Sequence, residues 1–527
     1  MSKKSRLIGV LLLAAAAVGW TAVPAAEEPA AKDAVFKMEE VSAFDSQAGG
    51  LSALRMGGPS FMCTPTPNAE VKTYPKLNSK QPLYGSVMFP GGTGAGSAVR
   101  YHFVLDESEQ AAPPAETPKA EEKPESKTEP PPKPGTLVER SRLGLPGSVP
   151  ETKYDLLYFD TNHDLDLTND PVVKVMKEPP KGLPLGPSLK VFDAISVEIP
   201  ASGDAPAAKV RVAPMLQVYT AMRRAPAPGA SASKLEPVVQ AYLRFMPATV
   251  RMGKIQLGKQ EYTAILSSSG QIMARLNDPQ QTRLQLIPAG EEPSVVRTSS
   301  AMDLLGMMRE VEGVFYQLSA TPSGDELGVS PYRGDYGVFE IAPADKEVKD
   351  RGVLGVLMGK ERTVVFGGPA LSSPPPEPKA AQHKLPVGDY TGYYLALRVG
   401  KVGATLRQNA YYESRTPGGP EPSVHIRKDK PLVLDFTQKP KVEFTYPPKD
   451  KPIRTGDTVM IRAILIEPTL DLRFLGLEDK TRKTGEMKYM GPEGKPVSMA
   501  RFASLDPDIA ILDSTGKKVA EGKMPFG

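Results

Sequence analysis

The 527-residue chain contains one cysteine, one tryptophan and four histidines, and after its first twenty residues it has no long apolar run. Each scarcity excludes something. With Cys63 alone, no intrachain disulfide can form. Cys63 sits in Phe61-Met62-Cys63-Thr64-Pro65, with no adjacent histidine or basic residue to lower its pKa, so it reads as a buried, inert thiol. Trp20 lies near the N-terminus, so the rest of the chain lacks the aromatic best suited to stacking on sugars or cations. His102, His163, His383 and His425 lie far apart and form no zinc-binding spacing. There is no Gly-x-Ser-x-Gly elbow. The glycine-rich Gly91–Ser97 stretch lacks the lysine of a phosphate loop and reads as a turn. Arg333-Gly334-Asp335, between Tyr332 and Tyr336, reads as a tight turn rather than an adhesion signal.

What is present points to export. Lys3, Lys4 and Arg6 precede an apolar core from Leu7 to Val18, too short to span a bilayer comfortably. Val23-Pro24-Ala25 then offers small residues for signal peptidase, so residues 1–25 are expected to be a signal peptide. No cysteine follows that could accept a lipid. The mature chain is expected to begin near Ala26, to carry no transmembrane segment and to work in the periplasm or outside the cell. Removing those three cations takes the formal charge from +4 to +1, which gives no electrostatic case for nucleic acid.

The 55 prolines and 47 glycines disfavour helices and suit turns between short strands. The expected fold is mainly β and multi-domain, with antiparallel sheets, few helices and C-terminal immunoglobulin-like sandwiches. An N-terminal β region is expected over 26–106, then a Pro/Glu/Lys-rich insertion over 107–152. Its Glu107–Gly135 part holds eight prolines, seven glutamates and four lysines and no large aliphatic or aromatic residue, so nothing offsets the entropy of ordering it. Strand-like Tyr101–Leu105 and Tyr154–Phe159 flank the insertion, which places it inside one sheet rather than between domains. A β domain with repeated hairpins follows over 153–371, a Pro-rich linker over 372–384 and an immunoglobulin-like region over 385–527.

Within 153–371 one helix is expected. Ser300 caps it, Asp303 completes the box, and Leu304, Met307, Met308 and Val311 form its apolar stripe. Pro322-Ser323-Gly324-Asp325 and Asp513-Ser514-Thr515-Gly516 read as hairpin turns. In the C-terminal region, Leu432, Leu434 and Phe436 alternate with polar residues, as do Val442, Phe444 and Tyr446, marking strands with one buried face. Val459–Ile466 suits a central strand.

The segment richest in chemistry is Phe159-Asp160-Thr161-Asn162-His163-Asp164-Leu165-Asp166-Leu167-Thr168-Asn169-Asp170. Asp160, Asn162, Asp164 and Asp166 place hard oxygens at alternate positions, with Asp170 beyond, a spacing that lets one turn of chain surround a Ca²⁺ ion. It resembles the loops of dockerin, thrombospondin-type and EF-hand repeats, with two departures. Leu165 stands where those loops place glycine, and Pro171 where they place a bidentate carboxylate. Strands rather than helices flank it, so the resemblance implies a calcium-binding hairpin of low affinity; the other reading is a plain solvated turn. Tyr154–Pro171 also lies without gaps on Tyr262–Pro279, matching Tyr with Tyr and Asn-Asp-Pro with Asn-Asp-Pro. The second copy has Ser268, Gly270 and Ile272 in place of Asp160, Asn162 and Asp164.

Leu385-Pro386-Val387-Gly388-Asp389-Tyr390 resembles the entry of bacterial immunoglobulin-like and carboxypeptidase-regulatory-like repeats. The whole chain is similar to large exported bacterial β-proteins in which acidic hairpins precede immunoglobulin-like modules, a likeness that imports no reaction. Two functions follow as expectations. One is a non-catalytic protein binding or organising an envelope or extracellular macromolecule. The other is a secreted glycan or peptide hydrolase using buried carboxylates, which leave no spacing in sequence.

Overall fold

The computed structural model describes residues 32–44, 60–90, 98–108, 153–178, 188–199, 207–224, 235–268, 275–291, 303–342, 348, 350–367, 381–408, 424–435, 439–446, 461–490 and 496–525. Residues 1–25, expected to be a signal peptide, the glycine-rich 91–97, the bulk of 107–152 and most of 372–384 lie outside these residues.

Among the described residues the chain is mainly β and multi-domain, with several antiparallel sheets and no helix. No helix among them is long and apolar enough to cross a membrane. Leu83–Pro90, Ala98–Asp106, Leu156–Phe159 and Val173–Lys174 form a four-stranded meander. It packs on a five-stranded sheet built around Ala208–Arg224 and Leu235–Pro247, which pair in unbroken register from Val212↔Pro247 to Arg224↔Leu235. Their shared core is aromatic: Phe89, Tyr101, Phe103, Phe159 and Phe245 are all fully buried or nearly so. Phe245 meets Phe89 edge-on at 5.6 Å and Phe159 at 5.5 Å, a geometry suited to ring quadrupoles.

The strands on either side of the insertion pair with each other. Ala98–Asp106 and Leu156–Phe159, which bracket it, are antiparallel neighbours with Asp106 opposite Leu156. The chain is tied off beside that pair by Ser108, whose N–H donates to Asp155 Oδ1 at 2.6 Å.

A second layered unit joins the sheet of Glu39–Ser42, Thr249–Leu257, Gln260–Ser268 and Thr282–Pro288 to one end of a thirteen-stranded sheet. Tyr262, Leu266, Leu318 and Val329 meet between them. The middle strands of the large sheet cover a three-stranded sheet of Tyr336–Ala342, Gln382–Pro386 and Leu432–Asp435, with Phe339, Leu385, Leu395 and Leu434 in the core.

Strand pairing redraws the expected domain borders. Ala34–Lys37 pairs with Glu326–Pro331, and Glu39–Ser42 with Thr249–Leu257, so the N-terminal strands complete sheets made mostly by later sequence. The 372–384 stretch separates no sheets: Arg351–Gly359 before it pairs with Gly388–Val399 after it. Composition marks a loop, but whether a loop borders a domain depends on which strands pair across it.

The expected helix is a strand. Met307–Val311 pairs antiparallel with Val314–Ala320 and parallel with Thr363–Phe366, turning at Glu312 and Gly313, both at positive φ. Its side chains are covered on both faces, Met307 in one core cluster and Met308 in another. A strand buried on both sides shows no period-2 signal, and its apolar residues fell by chance at helical spacing. Asp303 forms no capping box but lies 3.6 Å from the buried Arg309 guanidinium. Ser300 lies outside the described residues.

Both copies of the internal repeat open an antiparallel hairpin, yet their registers differ. Leu157 faces Val173, whereas its counterpart Ile265 faces Gln285 rather than Gln281.

Candidate functional site

The acidic loop leaves strand Leu156–Phe159 and is closed by its own hydrogen bonds. Asp160 is fully buried; its Oδ1 accepts the Asp164 N–H at 3.1 Å and its Oδ2 the Leu165 N–H at 3.3 Å. Asn162 Oδ1 accepts the Asp164 N–H at 3.0 Å. Asp164 Oδ1 accepts the Asp166 N–H at 2.8 Å, and its Oδ2 takes bonds from Asn169 Nδ2 at 2.7 Å and Asn162 Nδ2 at 3.1 Å. Hydrogen bonds from Asn169 and the Asp166 amide hold the Asp164 carboxyl below its ordinary pKa. Asp166 Oδ1 accepts the Thr168 N–H at 2.9 Å.

Asp170, at the far end, reaches back to the start. Its Oδ1 accepts the Thr161 N–H at 2.9 Å and the Thr161 hydroxyl, while Oδ2 is buried without a partner among the described residues. Burial, opposed by the Thr161 bonds and reinforced by the charges of Asp160 and Asp164, pushes the Asp170 carboxyl up.

The backbone makes the turn that a calcium loop assigns to glycine. Leu165 takes φ 68° and His163 φ 61°, left-handed conformations that cost an L-residue roughly 1–2 kcal/mol each. That cost is offset from outside the loop. Leu165 O accepts the Lys72 N–H at 2.8 Å, Lys72 Nζ donates to Asp164 O at 3.0 Å, and Leu167 is fully buried against Val71, Tyr84 and Val104. Asp160, Asn162, Asp164, Asp166 and Asp170 thus share one turn, in which their side-chain oxygens accept hydrogen bonds from the loop's own backbone and side-chain donors. Among the described residues no three His, Cys, Asp or Glu side chains converge as a metal-binding group.

Other buried carboxylates are likewise committed to local partners. Asp106 accepts the N–H groups of Asn78 at 2.9 Å and Ser79 at 2.7 Å, and Glu467 those of Thr469 and Leu470, both at 2.7 Å. Arg309 and Asp303 pair in the core.

A second site is a cleft of about 500 Å³ where three sheets meet. Its walls are the start of Ala208–Arg224, the turn between Leu235–Pro247 and Thr249–Leu257, the end of Gln260–Ser268, and the Pro322-Ser323 turn of the large sheet. Lys209, Arg211, Arg251 and Arg275 line it, with Glu40 as the one carboxylate among the lining residues. Lys209 and Arg211 are two apart on one strand and project on the same side of the sheet, both exposed.

Arg251 is held from two directions. Its Nη2 lies 3.2 Å from Glu40 Oε2, directly across the Thr249–Leu257/Glu39–Ser42 ladder, and its Nε donates to Ser323 O at 3.1 Å. Leu276 N–H donates to Pro322 O at 2.9 Å, which fixes the turn against the cleft wall. Lys209, Arg211 and Arg275 line the cleft as well, beside Thr249 and Ser267. The arrangement can donate several N–H and O–H groups to an anion; no histidine or cysteine stands among the lining residues to serve as a base or nucleophile.

Sequence reasoning missed this cleft. The Lys209-Val210-Arg211 alternation was its one local trace, and Arg251 and Arg275 join only through pairing of strands distant in sequence.

Comparisons with known protein families, with curated proteins and with solved structures each return no match.

Proposed function

We propose that the chain is an exported, non-catalytic β-modular protein that binds or organises a macromolecule of the cell envelope or extracellular space. In this reading its C-terminal strands form immunoglobulin-like modules and Ca²⁺ steadies the acidic loop. The observation that carries it is the cation-lined cleft at the junction of three sheets, a concave surface built for binding and furnished with donors. Export rests on the sequence of residues 1–25. Calcium rests on the left-handed turn at Leu165 and on the unpartnered, buried Asp170 Oδ2, with Asp160, Asn162, Asp164 and Asp166 supplying the other oxygens. No specific observation favours the hydrolase reading, because the buried carboxylates named above each serve a backbone amide or a buried arginine.

The test is co-sedimentation of the mature protein with envelope material from the producing cell, run beside turnover assays on glycoside and peptide panels. Retention without turnover is expected. Hydrolysis that survives repurification would overturn the proposal.

A further inference from the structure

We infer that the cleft binds an oligoanion, a ligand segment carrying two or three phosphoryl or carboxyl groups a few ångströms apart. The inference rests on the binding function proposed above and names the chemistry that the cleft would recognise. Three observations lead to it.

The first is charge. Lys209 and Arg211 line the cleft together with Arg251 and Arg275, Glu40 is the one carboxylate among the lining residues, and Glu40 is already paired with Arg251 at 3.2 Å. Other nearby carboxylates are turned elsewhere. Asp325, on the same turn as Ser323, accepts the hydroxyls of Thr321 and Ser323, and these bonds hold its pKa down. Glu198 faces Lys209 across the strand ladder, yet no ion pair joins them among the described residues and Glu198 is not part of the lining.

The second is placement. Lys209 and Arg211 come from one strand, Arg251 from another and Arg275 from the segment after Gln260–Ser268, so cations stand on more than one wall of the cleft. A monovalent ion would meet one or two of them. A ligand with spaced anionic groups meets several at once, and partial exclusion of water strengthens each contact.

The third is size and rigidity. About 500 Å³ lies within the span of roughly 300–1,000 Å³ usual for small-ligand sites. Arg251 is preset by Glu40 and the Ser323 carbonyl, so less rotamer freedom is lost when an anion arrives.

The shared chemistry is the oxyanion, which could come from a phosphorylated polymer or from an acidic glycan, and two probes separate these sources. Titration calorimetry of the full mature chain with tripolyphosphate and with trigalacturonate should show binding of at least one, weakening as salt is raised. Preference for tripolyphosphate assigns a phosphoryl ligand, and preference for trigalacturonate a carboxylated glycan. Arg211→Gln and Lys209→Gln should each weaken binding roughly tenfold, the loss expected for one charge-assisted contact. Both residues are exposed, and unchanged melting curves would show that the variants fold. Glu198→Gln, which removes an opposing charge beside Lys209, should tighten binding. If neither probe binds at millimolar concentration, or if the variants bind as wild type does, the inference is overturned. Should the chain still co-sediment with envelope material in that case, only the cleft assignment fails and the broader proposal survives.

Discussion

Gly324 stands against Leu276 so closely that a Cβ on the glycine would lie 2.7 Å from Leu276 Cδ1, and 3.1 Å from Arg251 Cγ. Gly324 also takes φ 70°, so any other residue meets both a steric and a conformational penalty. Gly324→Ala is expected to lower stability by about 2–3 kcal/mol, the strain term plus the cost of displacing its neighbours. Gly290, at φ 82° with open space around it, isolates the strain term, and Gly290→Ala should cost only about 1 kcal/mol. Urea titration of the two variants checks the difference. Equal losses would mean that the packing of Gly324 on the cleft wall contributes nothing.

His102 should make the protein acid-sensitive. The ring is buried, Nε2 lies 3.2 Å from Glu70 Oε2, and Nδ1 has no partner among the described residues. Burial lowers its pKa, outweighing the nearby charges of Glu70 and Asp160. The folded state therefore binds fewer protons than the unfolded chain. Stability from this group is complete above the unfolded value of about 6.5 and is lost as pH falls through the depressed folded value. Melting temperature should drop between pH 7 and 5, and His102→Gln should flatten that slope. An identical slope in the variant would remove His102 as the cause.

Cys63 is 8% exposed, and burial pushes its thiol up to about 12, so almost no thiolate exists at neutral pH. A thiol reagent at pH 8 should leave the native protein unlabelled for hours and titrate one thiol per chain after denaturation. Rapid stoichiometric labelling of folded protein would show that the site opens.

The calcium proposal has a thermal test. Ca²⁺ bound to the folded state alone should stabilise it by about 2.7 kcal/mol at a hundredfold excess over the dissociation constant, which for a loop with Leu165 and Pro171 at key places is expected near 10⁻⁴ to 10⁻³ M. The gain should shrink as pH falls, because burial raises the pKa of Asp170 and so protonates this ligand sooner than an ordinary aspartate. Mg²⁺ should do less. A double variant, Asp160→Ala with Asp164→Ala, should lose the gain. No shift between millimolar Ca²⁺ and chelator in wild type would leave the loop as a turn closed by its own amides.

Much of the β architecture was legible in the chain because turns and strand periods are local properties. Pro322-Ser323-Gly324-Asp325 and Asp513-Ser514-Thr515-Gly516 do join hairpin strands, since glycine at φ 70° or 82° and aspartate accepting nearby donors act within a few residues. Tyr101–Leu105 and Tyr154–Phe159 read as strands on either side of 107–152, and Ala98–Asp106 pairs with Leu156–Phe159. Alternation does not say which face is covered. Leu434 is buried as its pattern implies, but Val442 and Phe444, with the same pattern, are 53% and 59% exposed on the last strand of the large sheet.

The sequence by itself determined the β class, the hairpins and the shape of an acidic turn, all of which follow from contacts between near neighbours. Tertiary structure alone decided that Met307–Val311 is a strand, because two covering layers outweigh a helical spacing of four apolar residues. It also decided that Leu165 could stand in for glycine, since the Lys72 backbone and the Leu167 pocket offset the strain. The basic cleft belongs to the same category. Residues 209, 211, 251 and 275 are scattered in sequence, and only long-range strand pairing gathers their charges into one place.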